Sequence, residues 1–116
     1  MVEVKELFES ILPVYEAKAR QVALDKYSLD ELEKQVKFIE ASTYLQQEGT
    51  LKERESKTLT MCQENKEYSD LVVKIHKLKT TIASGSVEAD ALEKRLKFYT
   101  YYVYGGGDNG HKKIYS

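Results

Sequence analysis

Two histidines, His76 and His111, and one cysteine, Cys62, are the imidazole and thiol side chains with which this 116-residue chain could ligate a soft metal or supply a thiolate nucleophile. Their setting favours neither role. A zinc site needs three or four ligands at close spacing, whereas His76 stands among Lys74, Lys77 and Lys79, where a surface imidazole needs no special task. Cys62 falls on a helical apolar row, which suits a small buried hydrophobe better than a reactive thiolate. With no second cysteine it forms neither an intrachain disulfide nor a CxxC knuckle, and a reducing, cytoplasmic compartment fits it. The carboxylate pairs Glu53/Glu55 and Glu64/Glu67 have no apolar surroundings that would raise a pKa for acid–base work. The run Gly105-Gly106-Gly107-Asp108-Asn109-Gly110 follows a helical pattern and lacks the lysine of a phosphate-binding loop. The expectation is therefore a non-enzymatic protein with no catalytic residues, no metal and no cofactor.

Binding chemistry is better represented. Lys94, Arg95 and Lys97 precede Phe98, Tyr99, Tyr101, Tyr102 and Tyr104, with Lys112 and Lys113 beyond. Cations interleaved with rings are what a single-strand nucleic-acid binder uses, and tyrosine is equally favoured in protein interfaces. Tyr99 continues a buried row with Val103, which leaves Tyr101, Tyr102 and Tyr104 for a partner. The expected partner-binding residues are Tyr101, Tyr102, Tyr104, Lys94, Arg95 and Lys97, with a protein interface as the first choice, packing within the chain as the second and nucleic acid as the third.

Charge does not choose the partner. Eighteen basic residues face nineteen acidic ones, a formal net charge of −1, so no overall field draws the chain to nucleic acid or an anionic membrane. The distribution is uneven: residues 1–49 carry six basic and ten acidic groups, and residues 50–85 carry seven and five. An acidic front can meet a more basic back, within a chain or between chains. No stretch approaches the ~7–15 apolar residues of a signal core or the ~20 of a membrane span, so no membrane partner is expected.

These residues must be positioned by helices. Ala, Glu, Lys, Leu and Arg make up 51 of 116 residues, a share typical of coiled coils and long helices. The expected fold class is all-α, an antiparallel helical hairpin or small bundle with coiled-coil-like packing, as one domain over 1–104 followed by a flexible Gly-rich tail at 105–116. Apolar rows at Val4, Leu7, Ile11 and Val14 and at Phe8, Leu12, Tyr15, Ala19 and Val22 predict a first helix over 2–26. Pro13 lies inside it and predicts either a kink or two shorter pieces. Ser28-Leu29-Asp30-Glu31 has the form of a capping box and predicts a second helix over 29–48. Its buried row is Leu29, Leu32, Val36, Ile39 and Thr43, widened by Phe38 and Leu45.

Gly49 followed by Thr50-Leu51-Lys52-Glu53 is the best-marked junction, a left-handed helix stop and a second capping box. A third helix over 51–83 follows, through Leu59, Cys62, Tyr68, Leu71, Val72, Ile75, Leu78 and Ile82. At ~1.5 Å per residue it would be roughly 50 Å long, more than a small single-chain core covers, so a homo-oligomer is expected. Ser84-Gly85-Ser86 is a weak breaker before a last helix over 87–104 with Leu92, Leu96, Tyr99 and Val103 inward. Asp108-Asn109-Gly110 keeps open a terminal hairpin pairing 98–104 with 111–115. Residues 30–44 and 90–104 share seven identities at a constant offset of 60, which favours helix for the later segment.

The segment Gly49-Thr50-Leu51-Lys52-Glu53-Arg54-Glu55, with Tyr68, Glu93 and Arg95, resembles a loose group of small, mostly helical proteins encoded by phages and prophages of bacteria. The resemblance covers about residues 15–100 and departs at Ser84-Gly85-Ser86, where the group tends to run on as helix. Such proteins are commonly encoded near recombination and replication genes. The resemblance implies an accessory role in the host cytoplasm, beside single-strand annealing or binding proteins; a separate reading, inhibition of a host replication or defence enzyme by occupancy, needs the same kind of surface and stays open. It brings no catalytic residues.

Overall fold

The structure is a computed structural model and describes residues 3–102. Those residues are all-α: α1 runs Val4–Leu45, α2 Leu51–Glu64 and α3 Lys66–Thr100, with no strand among them. They form two compact units, one from the residues up to Ala23 together with those from Ala83 onward, the other spanning Leu24–Ile82.

In the first unit α1 withdraws Val4, Phe8, Ile11, Tyr15, Lys18 and Val22 from solvent, and α3 withdraws Gly85, Ala89, Leu92, Leu96 and Tyr99. Both rows alternate steps of three and four, the 3.5-residue period that keeps one seam of a helix facing its neighbour. The helices are antiparallel here, because Val22 abuts Gly85 while Lys18, earlier in α1, reaches Glu88, later in α3, at 2.7 Å. In the second unit the rows are Asp25, Leu29, Leu32, Val36, Ile39 and Thr43 on α1 and Tyr68, Leu71, Ile75, Leu78 and Ile82 on α3. Glu33 meets Lys79 at 3.8 Å and Glu40 meets Tyr68 at 2.9 Å, again antiparallel.

Three expectations about helix boundaries are corrected. The first two helices, expected over 2–26 and 29–48, are one helix, α1. Val22, Asp25 and Leu29 keep the 3.5-residue phase through Ser28, so burial of the seam overrides the local capping signal. Pro13 lies within α1, so the two shorter pieces are not formed there; it is exposed, as is Glu9, whose carbonyl the proline deprives of its regular helical donor. The helix expected over 51–83 is divided at Asn65. That residue donates its N–H to the Cys62 carbonyl at 3.1 Å, and its side-chain oxygen accepts the Tyr68 N–H at 3.0 Å, closing α2 and opening α3 with one residue. Finally, α3 runs unbroken through Ser84-Gly85-Ser86 into the region expected as a separate helix over 87–104. A Cβ on Gly85 would lie 3.0 Å from Val22 Cγ2: the glycine is a seam residue that admits a neighbour, not a stop.

The Gly49 junction is built as its residues dictate. Gly49 has φ 114°, Thr50 Oγ1 accepts the Glu53 N–H at 3.3 Å, and the Thr50 hydroxyl donates to the Glu53 carboxylate at 3.1 Å. α1 has no basic residue in its last turn; cations from α2 serve the carbonyls that follow it. Arg54 Nε donates to the Gln47 carbonyl at 3.1 Å and Lys57 to that of Glu48 at 3.2 Å. The Arg54 guanidinium also lies 5.4 Å from the Tyr44 ring centre. Side chains expected to widen the buried stripe do not: Phe38 is 72% exposed and Leu45 78%. Val14, Leu59 and Val72 are likewise exposed, whereas Cys62 is buried as expected. Val103, Tyr104, the tail at 105–116 and the second arm of the alternative hairpin, 111–115, lie outside the described residues.

Candidate functional site

The last turns of α3 carry the basic and aromatic residues singled out in the sequence. Lys94, Arg95 and Lys97 are exposed. Lys97 pairs with Glu93 one turn back at 3.1 Å, and Arg95 reaches the Tyr99 hydroxyl at 3.4 Å. Beyond Thr100 the chain continues through Tyr101 and Tyr102 in a wider, π-type turn, which rotates these rings relative to a regular α-helix. Phe98 and Tyr102 have ring centres 4.8 Å apart, Tyr101 and Tyr102 meet edge to face at 5.4 Å, and Phe98 and Tyr99 at 5.9 Å. Such contacts contribute about 0.5–1.5 kcal/mol each beyond area burial.

The structure thus joins Tyr101 and Tyr102 into one ring cluster and sets Lys94, Arg95 and Lys97 on the turns that lead into it. Tyr104, the sixth expected partner residue, lies outside the described residues. Phe98 was not among the expected partner residues, yet it touches both Tyr99 and Tyr102 and is 55% exposed, with Tyr102 at 54%. Its spacing of four from Tyr102 was the signal that could have included it. The rings meet each other at steep angles and leave an apolar, hydroxyl-edged surface in place of parallel open faces. Lys97 has an exposed carboxylate neighbour in Glu93.

A second feature lies within the unit 24–82, a groove of about 600 Å³ between α1 and α2. Ala41, Leu45, Leu59 and Cys62 give it an apolar lining, with Lys37 and Glu55 among its charged residues. At its edge the Tyr68 hydroxyl donates to Glu40. That hydrogen bond, with partial burial and the nearby Glu40 charge, raises the Tyr68 pKa above its ordinary value, and Cys62 adds in the same direction. Among the described residues no group of three or more His, Cys, Asp or Glu is placed to hold a metal ion, and no helix is long and apolar enough to cross a membrane. His76 is exposed, and His111 lies outside the described residues.

No protein-family model matches the chain, and comparisons with curated proteins and with solved structures find no match.

Proposed function

We propose that this chain is a helical interaction protein that acts by occupying a surface of a protein partner, with the end of α3 as its docking element. The observation that supports this reading is the ring cluster of Phe98, Tyr99, Tyr101 and Tyr102, exposed at Phe98 and Tyr102 and edged by Lys94 and Arg95. Aromatic and arginine side chains concentrated at one surface are the usual anchors of a protein interface. The resemblance to small phage and prophage proteins adds the setting, an accessory to recombination or replication proteins in the host cytoplasm; an inhibitor that blocks a host enzyme by occupancy needs the same kind of surface.

The adjacent cations favour a second reading, binding of single-stranded nucleic acid by Lys94, Arg95 and Lys97 with stacking on the same rings. One experiment separates the two. The wild-type chain and a Tyr101→Ala/Tyr102→Ala/Tyr104→Ala variant are compared as baits on lysate from phage-infected cells, and titrated with a single-stranded oligonucleotide at several salt concentrations. The protein reading expects a protein captured by wild type and lost by the variant, with helicity by circular dichroism unchanged and no oligonucleotide binding. An affinity for the oligonucleotide that falls by roughly one log unit per log unit of salt for each neutralised phosphate would replace it with the nucleic-acid reading. Loss of helicity in the variant would make the tyrosines packing residues and remove both.

A further inference from the structure

α1 carries two seams at heptad spacing within Leu24–Leu45. The inner one, Asp25 to Thr43, packs against α3. The outer one consists of Leu24, Tyr27, Glu31, Lys34, Phe38, Ala41 and Leu45, again in alternating steps of three and four. Five of these seven residues are apolar or aromatic, and Leu24, Tyr27, Phe38 and Leu45 are each more than half exposed. A regular apolar stripe on the outside of a helix is the pattern that recruits a second helix. The two charges in its middle identify that helix.

We propose that this outer seam is a homodimer interface, in which a second copy of the chain lays the same stretch of α1 antiparallel across a two-fold axis between Leu32 and Glu33. In this register Glu31 of each copy faces Lys34 of the other, Tyr27 faces Phe38, and Leu24 faces Ala41. A two-fold interface repeats every contact, so one register gives two ion pairs and two aromatic pairs. The flanking positions agree: in an antiparallel pair Asp30 of one copy comes beside Lys37 of the other, again twice, and the opposite flank brings Ser28 beside Gln35, which carry no charge.

Neighbouring registers fail on the same residues. Moving the second copy one heptad one way sets Lys34 opposite Phe38, Glu31 opposite Ala41 and the two Lys37 side chains beside each other. One heptad the other way sets Leu24 opposite Lys34, Tyr27 opposite Glu31 and the two Asp30 side chains together. Both set the central Glu31 or Lys34 against apolar side chains and bring like charge to like, whereas the proposed register leaves one such mismatch per copy, Leu45 opposite Arg20, at its outer ends. The local pairs that Lys34 makes now, with Asp30 at 3.6 Å and Glu31 at 3.5 Å, are loose and exposed, and such pairs hold little free energy against exchange for pairs across an interface. The groove beside Ala41 gives the seam depth. Leu24 of the second copy, opposite Ala41, meets its open side next to Leu59.

The inference uses none of the residues of the α3 ring cluster, so it stands or falls separately from the function proposed above. The test is the solution mass of the full chain by size-exclusion chromatography with light scattering, across a dilution series. Wild type is expected at twice the chain mass. Lys34→Glu, which sets Glu against Glu at both central pairs, weakens dimerisation at least tenfold, and Glu31→Lys/Lys34→Glu, which swaps the pair, recovers it. Phe38→Ser dissociates the dimer with helicity unchanged. The Tyr101→Ala/Tyr102→Ala/Tyr104→Ala variant remains dimeric. A wild-type mass of one chain at all concentrations overturns the proposal and leaves the seam to a different protein. A dimer indifferent to Lys34→Glu and Phe38→Ser, or one that the charge swap does not restore, overturns it equally.

Discussion

Val22 Cγ2 lies 3.0 Å from the position that a Cβ on Gly85 would occupy. The two residues meet where α1 and α3 pack antiparallel, and the absence of one methyl group sets how closely the backbones approach. Gly in a helix interior ordinarily costs about 1 kcal/mol relative to Ala, so Gly85→Ala would stabilise α3 if nothing stood in the way. Val22 does, and its β-branched side chain has little freedom to turn aside within a helix. Gly85→Ala in wild type is therefore expected to leave stability near unchanged, the helix gain offset by crowding. In a Val22→Ala background the same change is expected to stabilise by about 1 kcal/mol. Thermal melts of the four proteins of this double-mutant cycle check it; equal effects in both backgrounds would show that the two residues do not press on each other.

Tyr68 and Glu40 supply a pH dependence. The raised pKa of Tyr68 means that the fold holds the phenol in its neutral form more strongly than the unfolded chain does. Below the ordinary tyrosine value of about 10 both states keep the proton and the stabilisation is complete. As pH rises past that value the unfolded chain releases its proton first, and the contribution is gone once pH exceeds the folded-state value. Tyr68→Phe is expected to cost about 1 kcal/mol near neutral pH, from one partly buried hydrogen bond to a carboxylate. The difference between wild type and variant should then shrink above pH ~10. Denaturant titrations of both proteins at a series of alkaline pH values measure it, and a difference constant with pH would refute the linkage.

What was legible in the sequence was what local chemistry or period decides. Gly49 with Thr50 marks a turn because the left-handed angle and the hydroxyl cap are each supplied by one residue. The rows Leu29 to Thr43 and Leu92 to Tyr99 were visible because they follow the period of the seam they fill. Three things were not legible. The Ser28 capping box reads as a helix start until Asp25 and Leu29 are seen to share a seam. Phe38 and Leu45 look like core residues by type, yet they sit away from the face of α1 that packs on α3 and are largely exposed. Gly85 looks like a breaker because hydropathy is silent about a position that requires a missing side chain. At the α3 end, type and spacing pointed to Tyr101 and Tyr102 but not to the contact that the Phe98 ring makes with Tyr102.

The Asn65 joint makes its own prediction. One side-chain oxygen, accepting the Tyr68 N–H at 3.0 Å, starts α3 where the sequence otherwise continues a helical pattern. Asn65→Ala removes the cap and is expected to cost about 1 kcal/mol, whereas Asn65→Asp keeps an acceptor and most of the stability. Hydrogen exchange distinguishes a lost cap from a general loosening: the Tyr68 amide should exchange faster in Asn65→Ala while amides in the middle of α1 follow only the global change.

Gly49 is the position at which substitution should be most costly for its size. Its φ of 114° lies beyond the left-handed well near +60° that asparagine tolerates, and an added Cβ would stand 2.6 Å from the Glu53 carboxylate. Gly49→Ala must therefore both strain the backbone and displace Glu53, whose carboxylate accepts the Thr50 hydroxyl. The expected loss is about 1–3 kcal/mol. Gly49→Asn should do no better, since its preference is for an angle this turn does not use. Gly49→Ala/Glu53→Ala separates the two causes by removing the contact and leaving the strain. If backbone strain dominates, the second substitution recovers little of the loss in a chemical melt; recovery of most of it would assign the role of Gly49 to the space that Glu53 occupies.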